Sequence, residues 1–181
     1  SLAAKNFVDK ELFPYWQRFR QWVLNFSEQH DMPTDLQLAS GQRCISPSDF
    51  GFHNALMQSC GNLKFIDFEY AGWDDPAKMV ADFFCQPSVP VPEEYFDDFA
   101  RAVSQEFTEP ENFFLRLKIL YPLCHLKWCC IILNEFLPVD ANRRRFSNRS
   151  PDSDERKYKQ LELAGVYLTQ NKRRGELDGV C

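Results

Sequence analysis

Apolar residues near the start of the chain recur at steps of three and four. Phe13, Trp16, Phe19, Trp22, Val23 and Phe26 share one stripe, which predicts an amphipathic helix over residues 5–29. Pro14 implies that this helix either begins there or kinks. Asp31-Met32-Pro33-Thr34 ends it, and residues 35–40 read as a short helix or turn. The period then shortens: Ala55-Leu56-Met57-Gln58 and residues 63–67 read as strands, joined through Cys60-Gly61-Asn62 as a hairpin. Asp75 as N-cap and Pro76 at the first helical position start a helix over 77–85 carrying Met79, Val80, Phe83 and Phe84. Three prolines between 86 and 92 stop it. Pro92-Glu93-Glu94 opens a helix to about Phe107, with Tyr95, Phe96, Phe99 and Val103 inward.

A long apolar helix follows over 111–136, to be bent or split at Pro122, with Leu117, Leu120, Leu123, Leu126, Trp128, Ile131, Ile132 and Phe136 making it the central core element and His125 packed or capping. Residues 140–154, with Arg143-Arg144-Arg145 and clustered Ser, Asn and Pro, read as a mobile polar loop. Residues 155–170 form a last helix, and 172–181 a frayed polar tail. The expected class is therefore α+β, mostly helical, in a single domain over 1–181, with one small β-hairpin.

Composition narrows the function classes. The 181 residues are 44% hydrophobic, enough for a sizeable core, and seventeen Phe with four Trp make that core aromatic. A formal charge of -5 argues against a general nucleic-acid surface and suits a neutral or cationic small substrate. Seven Cys, an odd number with no CxxC pair, point to free thiols in a reducing compartment and to a cytoplasmic location. No signal peptide is evident, and the apolar stretch around 129–133 is too short and interrupted to span a bilayer.

The candidate chemistry lies in residues 46–72. Asp49 is followed five positions later by Asn54, and Asp67 ends an apolar strand about a dozen residues on. Phosphoryl transfer needs a carboxylate to orient and deprotonate the attacking hydroxyl, and a divalent metal to neutralise the phosphates. Magnesium takes hard oxygen ligands and only one or two protein carboxylates. An Asp and an Asn on one turn, with a second Asp delivered by a neighbouring strand, meet that need.

Asp49-Phe50-Gly51-Phe52-His53-Asn54 resembles the catalytic loop of the aminoglycoside phosphotransferase and choline kinase-like family, whose pattern is His-Gly-Asp-x-x-x-x-Asn. Ile66-Asp67-Phe68-Glu69-Tyr70-Ala71-Gly72, with Asp75-Pro76, resembles its metal-binding segment. The resemblance covers roughly 44–86 well and implies the large, carboxy-terminal lobe of a kinase-like fold, with ATP as phosphoryl donor and Mg2+ as cofactor. It implies Asp49 as catalytic base and Asn54 and Asp67 as magnesium ligands. Two departures are visible: Pro47 stands where the family usually has a His, and Met79 where many members carry Asp, so that Asp82 either substitutes or is exposed.

The letters Asp49-Phe50-Gly51 also spell the metal-binding tripeptide of protein kinases. No His-Arg-Asp precedes them, so Asp49 is read as the base. His53 is expected to be a loop-stabilising hydrogen-bonder. Glu69, Trp73, Asp74 and Asp75 are candidate substrate-wall residues suited to an amine or ammonium group, with helix capping the other role for Asp74 and Asp75. Among seven Gly none forms a phosphate-binding loop, so an N-terminal nucleotide-clamping lobe is expected outside this chain, and the chain alone is expected to be inactive. The full enzyme would phosphorylate a hydroxyl of a small molecule. The rival reading is a non-catalytic kinase-like binding or scaffold module.

Overall fold

The computed structural model describes residues 1–35, 37–107, 109–137 and 153–178. It is mostly helical with two small antiparallel ribbons. The chain divides into two compact units, Ser1–Thr34 with His125–Cys181, and Asp35–Cys124.

In the first unit, α1 (Leu2–Phe7) leads through a π-helical turn, Val8–Leu12, into α2 (Phe13–Gln29). α2 begins with Pro14 in its first turn, as expected, although a π-helical turn joins it to α1 without a break. Pro14 has no N–H for the carbonyl four positions back, and the hydrogen-bond register widens in the turn just before it. Leu12, Tyr15, Phe19 and Phe26 are buried, whereas Phe13 is 54% exposed and Trp16 lies at the margin. Tyr15 is tolerated at full burial because its hydroxyl donates to the Asn171 carbonyl at 3.2 Å.

The last helix, α6 (Ser153–Asp178), starts earlier and ends later than expected. Ala164, Tyr167 and Leu168 form its buried face, and Lys172, assigned to a frayed tail, lies on the helix 3.5 Å from Glu11. The polar loop expected at 140–154 lies outside the described residues as far as 152, as do tail residues 179–181. α5 (Pro110–Leu133) closes in a 3-10 turn, Asn134–Phe136, where the buried Glu135 carboxylate accepts from Arg156 Nη2 at 2.6 Å and Nε at 2.8 Å. Burial pushes the Cys129 thiol up to about 12. The His125 ring is buried 5.5 Å from that of Tyr167, a packed histidine.

α5 is unbroken, with Pro122 inside it. With its terminal turn it is long and apolar enough, by length and composition, to cross a membrane, which revises the expectation that no stretch would be. Phe113, Leu117, Tyr121 and Cys124 of its first half are buried in the second unit's core.

That second unit holds β1 (Cys44–Ser46), β2 (Ala55–Met57), β3 (Leu63–Phe65), β4 (Gly72–Asp74), α3 (Pro76–Cys85) and α4 (Phe96–Ser104). The expected hairpin is present: β2 pairs with β3, Ala55 opposite Phe65 and Met57 opposite Leu63. Gly61 takes the left-handed conformation (φ 85°) that its turn requires. A second ribbon was not foreseen. β1 pairs with β4, Cys44 opposite Asp74 and Ser46 opposite Gly72. α4 is shorter than expected and preceded by a 3-10 turn, Glu93–Tyr95, whose tighter winding sets Tyr95 off the helical stripe at 56% exposure. The core of this unit is α3, with Ala77, Val80, Ala81, Phe83, Phe84 and Cys85 all buried.

Candidate active site

Both candidate loops run between the two ribbons. Residues 47–54 leave β1 and enter β2, and residues 66–71 leave β3 and enter β4. Pairing at both ends holds the loops side by side, and the Ile66 N–H donates to the Asn54 carbonyl at 2.8 Å. Asp67 therefore follows directly on the residue that is bonded to Asn54. Ser48 ties the loops together again, its hydroxyl donating to the Tyr70 carbonyl at 2.8 Å. Ser48 and Asp67 both adopt left-handed backbone, φ 68° and 63°. Asp tolerates that region better than most residues do, and a β-branched residue would not.

The alternation in Asp49-Phe50-Gly51-Phe52-His53 sends two aromatic rings toward the core. Phe50 lies 4.9 Å from Phe65 of β3 and 4.8 Å from Phe83 of α3; Phe52 lies 5.1 Å from Phe83. Phe83 in turn stacks on Phe99 of α4 at 5.0 Å. The loop and α4 thus meet α3 on Phe83, with β3 joined through Phe50, while Asp49 stays at the surface. The sequence reading treated the aromatic content as general core and missed this clamp, although the polar–Phe alternation is visible in the letters.

Asp49 and Asn54 come together as expected. The Asn54 amide Nδ2 donates to the Asp49 carbonyl at 2.9 Å and approaches Asp49 Oδ2 at 3.4 Å. That leaves the Asn54 side-chain carbonyl available to a ligand. His53 Nε2 lies 3.2 Å from Asp49 Oδ2. Asp67 is exposed, and its carboxylate takes no hydrogen bond or ion pair among the described residues. No three His, Cys, Asp or Glu side chains gather as a metal site among the described residues. A metal here would take two carboxylates at most, the Asn54 oxygen and water, a hard-oxygen set that fits magnesium and not zinc.

The candidate wall residues divide. Glu69 and Trp73 are exposed, Trp73 at 69%. The Asp74 and Asp75 carboxylates are engaged within the fold. Asp74 accepts from the Asp75 N–H at 2.9 Å and from Lys78 Nζ at 2.6 Å. Asp75 caps α3 through the Ala77 N–H at 2.8 Å and receives Arg116 Nε at 2.8 Å. Asp82 is buried, not exposed, and is bonded by Lys78 at 2.9 Å and by the Cys124 thiol at 2.8 Å. Burial alone would lower the Lys78 pKa; hydrogen bonds that its ammonium donates to Asp74 and Asp82 outweigh it and hold the group well above its usual range. Burial, then the nearby Asp74 charge, raises the Cys44 thiol. This acid–base lattice fixes β4 to α3. Compared with family models, with curated proteins and with solved structures, the chain gives no match.

Proposed function

We propose that this chain is the catalytic and substrate-binding lobe of an ATP-dependent phosphotransferase acting on a hydroxyl group of a small molecule. The observation that carries the reading is the Asn54–Asp49 contact at 2.9 Å, set beside Asp67 through the Ile66–Asn54 backbone bond. Asp49, with its side chain 59% exposed, orients the acceptor hydroxyl and takes its proton. Asn54 and Asp67 would hold Mg2+, which supplies charge neutralisation on the ATP phosphates. Glu69 and Trp73 face an amine-bearing substrate, while Asp74 and Asp75 hold the wall behind them. Ile45, Leu56, Met57, Leu63, Tyr70 and Trp73 are all exposed on the ribbon residues and the loop between them. Apolar surface of that extent suits cover by a nucleotide base and a complementary clamping lobe.

The test is Mg·ATP consumption by the full-length protein against a panel of hydroxylated metabolites. Asp49→Asn should lower phosphoryl transfer by about 10²-fold or more. Unchanged turnover in that variant sinks the enzyme reading and favours the non-catalytic module.

A further inference from the structure

His53 sits one residue before the proposed metal ligand Asn54, and its ring is directed at the proposed base. Its Nε2 is 3.2 Å from Asp49 Oδ2, whereas its Nδ1 is buried with no hydrogen-bond partner among the described residues. The ring orientation is therefore set by packing on one side and by Asp49 on the other. The packing is tight. A Cβ at Gly51 would lie 2.7 Å from His53 Nδ1 and 2.8 Å from Gln86 Cγ, so only glycine leaves the ring its place. Gln86 cannot easily give way: it is 1% exposed, its Oε1 accepts from the Ser88 N–H at 2.9 Å and the Val89 N–H at 3.1 Å, and its Nε2 donates to the Val89 carbonyl. Gly51 thus lies between the imidazole and the fixed end of α3, and the imidazole lies against the carboxylate.

Resting on the phosphotransferase reading, we infer that His53 is the positioning residue for Asp49. Its Nε2 lies 3.2 Å from Oδ2, the oxygen that the Asn54 amide also reaches, so the half-exposed carboxylate is held between the two. Oδ1 carries no hydrogen bond among the described residues and is the oxygen left to receive the acceptor hydroxyl's proton. His53 does not act as a second base, because its one accessible nitrogen is occupied by Asp49 and the other is buried.

The experiment compares wild type, His53→Leu, His53→Gln and Asp49→Asn in the full-length protein, with Mg·ATP and the same metabolite panel. Loss of the polar contact to the carboxylate should lower kcat by about 10-fold or more in His53→Leu, with the KM for ATP within about twofold. His53→Gln, whose Nε2–H reaches about as far, should recover to within about threefold of wild type. Wild-type kcat in His53→Leu beside an inactive Asp49→Asn overturns the positioning role and leaves the phosphotransferase reading intact. Wild-type turnover in Asp49→Asn overturns both. A measurement free of activity and of the Leu variant's folding is the 15N spectrum of the His53 ring in wild type and Asp49→Ala. A change at Nε2 and not at Nδ1 is expected, and an unchanged Nε2 signal overturns the inference.

Discussion

Residues 47–54 and 66–71 join the same two ribbons, yet their surroundings differ. The first loop is anchored by Phe50 and Phe52 on Phe83, by His53 on Gly51 and Gln86, and by the Asn54 amide on its own backbone. The second exposes Ile66, Asp67, Phe68, Glu69 and Tyr70 in succession, and its internal bond is the Ala71 N–H to the Phe68 carbonyl at 3.0 Å. A group that must meet a hydroxyl in one orientation benefits from fixed placement, because misplacement of the base is costly to rate. A group that captures a hydrated ion needs open coordination positions instead. On the proposed phosphotransferase reading, the packed loop would fix the base and the open loop would take the ion.

The largest effects should fall on chemistry in both loops and on stability in one. Asp67→Ala should abolish Mg·ATP binding, read by calorimetry, with an unchanged melting temperature, since that carboxylate takes no hydrogen bond or ion pair among the described residues. A fall in melting temperature comparable to a core truncation would break the contrast. Phe83→Ala removes the ring on which the first loop rests and should cost about 3–5 kcal/mol in urea unfolding. Gly51→Ala should cost about 1–3 kcal/mol by overpacking against the ring and Gln86, with a loss of turnover beyond the stability change. Ser48→Ala severs the hydroxyl link to Tyr70 and should cost about 0.5–1.5 kcal/mol. Phe68→Ala, on the open loop at 53% exposure, should stay within about 0.5 kcal/mol; a larger loss would show that the second loop is also packed.

The legible parts of the fold were those written in local chemistry. Gly61 in a polar turn between two apolar runs gave the hairpin, and Asp75 followed by Pro76 gave the helix start, because caps and turns depend on a few adjacent residues. Asp49 and Asn54 were expected on one turn and do touch. The β1–β4 ribbon escaped because three-residue strands show no alternation and their pairing spans Cys44 to Asp74. Tyr15 lies on the same stripe as Phe19 and Phe26 at regular helical spacing and was passed over because Phe13 and Trp16 beside it are equally aromatic. The extension of α6 past Gln170 was hidden because its last turns are polar, and a polar helix looks like a tail. His53 was expected to stabilise the loop, and its ring lies 3.2 Å from Asp49; the crowding beside Gly51 was not legible, since it also involves Gln86, more than thirty positions away in sequence.

The paired ribbons also say where the chain can be lengthened. Adding a residue between Asp49 and Asn54 would shift Phe50 or Phe52 off Phe83 and move the carboxylate away from the Asn54 amide. The Gln58–Asn62 bend lies beyond the last rung of its ribbon, and its exposed residues Ser59 and Cys60 support no neighbour. Extra length there leaves every rung in register, so this bend is the natural point to graft a fluorophore tag or an affinity epitope without touching the chemistry.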